Sequence, residues 1–129
     1  MKKTLLEEKL TESIIGAFYE VYDDAGYGYL EHHYQRAMLI ELGLRGHRTA
    51  REHPVPTFYK GVQTGFCRVD ILVDDKVILE VKSTKTLHES ADRQLMHYLK
   101  ASKLKVGLIL HFGPTPKFIR RIYDWPGDE

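Results

Sequence analysis

A chain of 129 residues has the length of one compact unit, and 43% apolar residues at a formal net charge of +1 give it the means to build a core. That composition excludes an intrinsically disordered chain, which is poorer in apolar residues and further from charge balance. No apolar run reaches the roughly 20 residues that cross a bilayer, and Met1-Lys2-Lys3-Thr4-Leu5-Leu6-Glu7-Glu8 turns acidic too early for a signal peptide. No membrane partner and a cytoplasmic location are therefore expected. The single cysteine, Cys67, agrees with a reducing compartment and reads as a small buried or half-buried residue rather than a nucleophile.

In chain order, Ile14, Ile15, Phe18, Val21 and Tyr22 recur at spacings of three and four, which predicts a first helix with Thr11 as its N-cap. Gly26-Tyr27-Gly28 breaks the pattern, with Gly28 expected at positive φ. Leu30, Tyr34, Ala37, Met38, Glu41 and Leu42 resume it as a second helix ending near residues 43–46. The texture then changes to β-branched and aromatic runs at 55–59, 66–73 and 77–82, separated by turn residues at Lys60-Gly61 and Asp74-Asp75-Lys76. An antiparallel meander is predicted there.

Thr86-Leu87-His88-Glu89 has capping-box spacing and predicts a helix to about Ala101, with Leu95, Tyr98 and Leu99 inward. The apolar run 106–112 suits a strand buried on both faces, and 118–123 a last edge strand. The order helix, helix, three strands, helix, strand, strand argues for an α/β or α+β fold with a mixed sheet.

Within the third predicted strand, Glu80 and Lys82 are two residues apart and so share a face of the sheet. Asp70 stands on the second strand at a similar distance from the intervening turn, which brings two carboxylates together across the ladder. Such a pair repels unless a cation lies between, and magnesium fits: it binds through one or two carboxylates, keeps waters and leaves room for phosphate. Residues 82–121 carry nine Lys/Arg against two Asp/Glu, the charge that a phosphate-binding groove beside such carboxylates requires. A Glu-x-Lys pair on a strand is often only a surface ion pair. The apolar flanks Val77, Ile78, Leu79 and Val81 argue instead for a central strand, where charges are rarely buried without partners.

The run Gly28-Tyr29-Leu30-Glu31-His32-His33-Tyr34, followed in order by Arg68-Val69-Asp70, Glu80-Val81-Lys82 and Gln94-Leu95-Met96-His97-Tyr98, resembles the GxxExxY protein family, a small branch of the PD-(D/E)XK nuclease superfamily. The resemblance runs from about Leu10 to Tyr123 and implies one nuclease-like domain over residues 1–129, with a restriction-endonuclease-like core: a central mixed sheet flanked by helices. It implies Asp70, Glu80 and the Val81 carbonyl as ligands of magnesium or manganese, Glu31 completing or supporting that site, and Lys82 as the catalytic lysine. Gln94 and Tyr98, one helical turn apart, would reach the same site or the nucleic-acid backbone. Two positions depart from the pattern: Val69 stands where the superfamily's name has proline, and Cys67 where some relatives have glycine. Neither change removes a ligand.

The leading expectation is therefore a metal-dependent phosphodiesterase acting on DNA or RNA, with Lys85, Arg93, Lys100, Lys103 and Lys105 holding the polyanion, working as a homodimer or beside a partner protein. The alternatives are a catalytically weak or inactive binding or regulatory module on the same scaffold, and a carboxylate–lysine set that is merely a buried ion-pair network. His32, His33, His88, His97 and His111 form no zinc spacing and are expected at the surface or behind the site.

Overall fold

The computed structural model describes residues 7–123, so most of the opening run read for a targeting signal lies outside the described residues. Its elements are α1 (Glu8–Ala25), α2 (Glu31–Leu44), β1 (Thr49–Tyr59), β2 (Val62–Val73), β3 (Val77–Lys82), α3 (Ser90–Ser102), β4 (Val106–Phe112) and β5 (Pro116–Ile122). The sheet order follows the sequence, β1-β2-β3-β4-β5. All pairings are antiparallel except β3 with β4, which the α3 crossover makes parallel.

Alternation along β3 and β4 builds two cores. Val77, Leu79, Val81, Leu108, Leu110 and Phe112 face α1 and α2. Ile78 and Ile109 face Ala91, Leu95, Tyr98 and Leu99 of α3. Both faces of β3 and β4 are thus covered, which is why they read as nearly unbroken apolar runs. Gly107 lets α3 approach: a Cβ there would stand 2.5 Å from Leu95 Cδ1. The result is an α+β mixed sheet flanked by three helices, as expected. Among the described residues no helix is long and apolar enough to cross a membrane.

Three local expectations are corrected. Thr11 is not an N-cap: α1 starts at Glu8, and the buried Thr11 hydroxyl donates to the Glu8 carbonyl at 3.0 Å. Leu30 does not belong to the apolar stripe of α2, since it precedes the helix and is exposed. No capping box forms at Thr86 and Glu89. The Thr86 carbonyl accepts the Thr84 hydroxyl instead, and the start of α3 is tied by His88 Nδ1 accepting the Ser90 amide at 3.0 Å. In addition, β1 is longer than its β-forming residues indicated. Pro54 and Pro56 interrupt that signal, yet β1 is an edge strand, where a residue without an amide proton is tolerated.

Candidate active site

The site begins where β2 and β3 part. Their ladder runs from Val73↔Val77 to Ile71↔Leu79, and Asp70 and Glu80 face one another just beyond it. Side chains there replace the missing backbone pairing: the Asp70 amide donates to Glu80 Oε2 at 3.1 Å, and the Val81 amide donates to Asp70 Oδ2 at 2.8 Å. Each carboxylate satisfies an amide that the splaying strands would otherwise leave unpaired. Past this notch β2 leaves β3 and continues with β1 as a two-stranded ribbon. Glu52, opposite Asp70 at the root of the ribbon, has φ 52° and drops out of the ladder, a strained left-handed position for a strand residue with a Cβ.

The helical side of the notch comes from the turn between α1 and α2. Gly26 and Gly28 take φ of 68° and 125°, as the expected break requires. The buried Tyr34 hydroxyl reaches back across this turn, donating to the Gly26 carbonyl at 2.6 Å and accepting the Tyr29 amide at 3.2 Å. That fixes where α2 begins, and Glu31 occupies its first turn, the favoured end for an acid. Glu31 Oε2 accepts the Ser83 amide at 3.2 Å, while the Ser83 hydroxyl donates to the Tyr29 carbonyl at 2.6 Å. The start of α2 is thereby bolted to the end of β3, one residue after Lys82.

From the other face, α3 holds the lysine. Lys82 Nζ donates to Gln94 Oε1 at 3.0 Å, and Gln94 Nε2 donates to the Tyr98 hydroxyl at 2.8 Å. The helical spacing of Gln94 and Tyr98 thus serves a chain of hydrogen bonds ending at the ammonium. Among the described residues Lys82 makes no direct ion pair with Asp70 or Glu80, so the set is not the closed ion-pair network considered above.

The carboxylates consequently remain electrostatically unsatisfied. Burial, then repulsion from Asp70, pushes Glu80 up to about 8; the Asp70 amide and the charge of Lys82 only partly oppose this. Burial likewise raises Asp70 against the Val81 amide and Lys82, and Glu31 and Glu52 raise it further. Burial, then the charges of Glu80, Cys67 and Asp70, lifts Tyr98 to about 12, so its hydroxyl stays protonated. At neutral pH the carboxyl pair retains a proton that a divalent cation would displace.

The donor set fits such a cation. Among the described residues no three His, Cys, Asp or Glu side chains form a ready-made cage. Two hard carboxylates, a neighbouring backbone carbonyl at Val81 and a third acid at Glu31 match magnesium or manganese, which bind few protein groups and share the remainder of their shell with water and phosphate.

The structure brings Glu31, Asp70, Glu80, Val81, Lys82, Gln94 and Tyr98 to one place. It does not bring all the expected basic residues there. Lys85 and Arg93 are exposed on the loop and first turn near the Lys82 end. Lys103 and Lys105 instead line a hollow with Asp75 and Lys76, at the opposite end of β3. Lys100 and Lys103 line another, against Pro56, Thr57 and Phe58 of the ribbon. His111 is buried rather than at the surface: on β4 beside Lys82, its Nε2 donates to the Thr84 carbonyl at 2.8 Å and holds the loop after β3. Ser83, Tyr29 and Tyr34 were not assigned site roles from the sequence; the only signal was the Gly-x-x-Glu-x-x-Tyr spacing. Cavities and chemistry also diverge. A cavity of about 450 Å3, lined mainly by apolar residues including Val55, Phe58, Leu72 and Ile78, contains none of these carboxylates. The notch is instead a parting of strands, where the β2–β3 ladder ends.

A mixed sheet whose central strands splay over paired acids and a lysine, with one helix supplying a third acid, defines a restriction-endonuclease-like protein. The profile described as "PD-(D/E)XK nuclease superfamily" matches residues 8–122, and the chain belongs to that superfamily. Among solved structures it is similar to the one described as "Crystal structure of SSO0001", with a TM-score of 0.56 and 16% identity over 96% of this chain and 63% of that one. At that identity the likeness concerns the fold alone, and the chain spans less than two thirds of the other protein's length. No curated protein matches the chain.

Proposed function

We propose that the chain is a magnesium- or manganese-dependent nuclease of the GxxExxY branch, a single cytoplasmic domain that hydrolyses phosphodiester bonds in DNA or RNA. The observation that carries this reading is Glu80: 2% exposed, it faces Asp70, and among the described residues no cation forms an ion pair with either. That arrangement is costly without a metal and useful with one.

In this reading Asp70, Glu80 and the Val81 carbonyl hold the ion, with Glu31 supporting them from α2. When bound, the ion supplies an activated water and positive charge against the phosphate in transit. The Lys82 ammonium, aimed by Gln94 and Tyr98, orients the attacking water and offsets charge on the scissile phosphate. Lys85 and Arg93 engage neighbouring phosphates; Lys100, Lys103 and Lys105 lie away from the notch and steer the polyanion only at long range.

The test is cleavage of single-stranded, duplex and branched DNA and of RNA with magnesium, manganese or EDTA. Metal-dependent cleavage lost in Glu80→Gln and Lys82→Ala, with unchanged circular dichroism, is expected. No cleavage of any substrate with either metal would overturn the reading, and a protein that still bound nucleic acid would then be a binding module.

A further inference from the structure

The ribbon beyond the notch carries side chains that neither the fold nor the carboxylates use. One face, Val55, Cys67 and Val69, is covered by α3. The opposite face pairs Pro54 with Arg68 and Pro56 with Phe66, all exposed. Phe66 is 56% exposed, and at the tip Tyr59 and Val62 are 65% and 69% exposed. Each end carries a cation over a ring: Arg68 Cζ lies 5.4 Å from the Phe66 centroid, and Lys60 Nζ 5.5 Å from that of Tyr59. Between Glu52 and Asp70 there is no acidic residue. The Lys60-Gly61 turn, both residues at positive φ, closes the hairpin tightly.

We propose that this ribbon is a stacking platform that grips an unpaired nucleic-acid strand leading to or from the notch, so that the preferred substrate has a single-stranded segment beside the cleaved bond. The proposal rests on the nuclease reading for its direction, and on the ribbon alone for its binding. Bare rings interleaved with cations suit bases and phosphates together, and rings stack on bases only where these are unpaired. Pro54, Pro56, Phe66 and Tyr59 offer little to read base edges in a duplex groove. Asp70 lies eight positions after Val62, about 26 Å along the same strand, so β2 leads from the platform to the carboxylates. A second copy of the chain fits this surface poorly. The patch would meet its own cations with no acid to pair them, and the prolines blunt the outer edge of β1 against strand addition.

The experiment is fluorescence anisotropy in EDTA with fluorescein-labelled oligothymidylate of about 20 nucleotides and a duplex of equal length. The single strand should bind more tightly, and Phe66→Ala and Tyr59→Ala should each weaken it about tenfold. Phe66→Trp should restore binding, and Ile40→Ala, at an exposed apolar position on α2, should leave it unchanged. Both ribbon positions are exposed, and unaltered melting midpoints would establish that the variants fold. Ribbon variants that bind the single strand like the wild type would overturn the proposal. So would duplex preference, or a wild-type dimer in sedimentation that these variants split. Cleavage by the wild type with unaffected binding in the variants sinks the ribbon and leaves the nuclease standing; ribbon-dependent binding without cleavage does the reverse.

Discussion

The β2–β3 hairpin has aspartates at both ends, in opposite circumstances. At the turn, Asp74 Oδ1 accepts the Arg48 amide at 2.8 Å, and Oδ2 lies 2.8 Å from His47 Nδ1, whose Nε2 is 2.7 Å from the Ser13 hydroxyl. Burial alone would raise this carboxyl, but the Arg48 amide and the His47 ring outweigh burial and hold it below its usual range. At the notch, Asp70 also receives an amide, yet it faces a second buried acid and is raised. The two ends show that a hydrogen bond does not settle a carboxylate when another negative charge shares its low-dielectric surroundings. The satisfied end is a latch joining α1, the segment between α2 and β1, and the turn; the unsatisfied end is poised for a cation.

The largest effect that could break this contrast is on cleavage. Asp70→Asn and Lys82→Ala should each reduce metal-dependent cleavage by about 10²–10³-fold, measured as initial rates under saturating metal. Asp74→Asn, on the same hairpin, should retain wild-type rates once any loss of folded protein is corrected. Equal losses at both ends would mean that the hairpin only scaffolds chemistry located elsewhere.

Stability should change with opposite signs. Asp74→Ala leaves the Arg48 amide and the His47 ring without their acceptor, and should lower unfolding free energy by about 1–3 kcal/mol in urea titrations. Glu80→Gln removes one of two crowded charges while retaining an acceptor for the Asp70 amide. In EDTA above pH 8 it should melt at or above the wild-type temperature, with magnesium no longer raising that temperature. A strongly destabilised Glu80→Gln in EDTA would restore the ion-pair reading of the site.

The pH profile follows from the same shifts. Glu80 is raised from 4.5 to about 8, so the native state binds its proton more tightly than the unfolded chain. Its contribution is complete below pH 4.5 and is lost as pH rises through about 8. Asp74 is lowered from 3.8, so its contribution is present above that value and lost as pH falls through the lower native one. Metal-free protein should therefore lose stability on an alkaline limb set by the notch and an acid limb set by the latch. Magnesium should restore the alkaline limb alone, and calorimetry at pH 7 in buffers of differing ionisation enthalpy should detect proton release on binding. An alkaline limb unchanged in Glu80→Gln would disprove its assignment.

Much of this was legible in the sequence because it is local or periodic. The apolar runs of β3 and β4 announced central strands, and the placement of Asp70 and Glu80 about one turn predicted their approach across the hairpin. Helical spacing likewise put Gln94 and Tyr98 together. What was not legible depends on contacts distant in sequence. Glu31 meets Ser83, 52 positions away, only because α2 packs at the end of β3. The ribbon as a projecting surface was hidden because Pro54 and Pro56 masked the length of β1. The position of Lys105 depends on the direction of α3, which a count of basic residues cannot supply. Thr86 and Glu89 had the right spacing for a cap but lost to a competing bond within their own loop.

The finest test concerns Ser13. Its hydroxyl, His47 and Asp74 are bonded in the order of a hydrolase triad, and geometry taken alone would assign them acyl-transfer chemistry. Ser13, however, lies inside α1, where backbone amides are committed to the helix, whereas an acyl-transfer centre needs donors free to hold an oxyanion. As part of a latch, Ser13→Ala should cost only about 0.5–1.5 kcal/mol, a drop of a few degrees in melting temperature. It should leave cleavage rates and the alkaline limb untouched, because His47 retains Asp74 and the notch is at the other end of the hairpin. Hydrolysis of p-nitrophenyl acetate by the wild type that vanished in Ser13→Ala would reverse this assignment. The same hydrogen bonds would then support catalysis at the end of the hairpin where the aspartate is already satisfied.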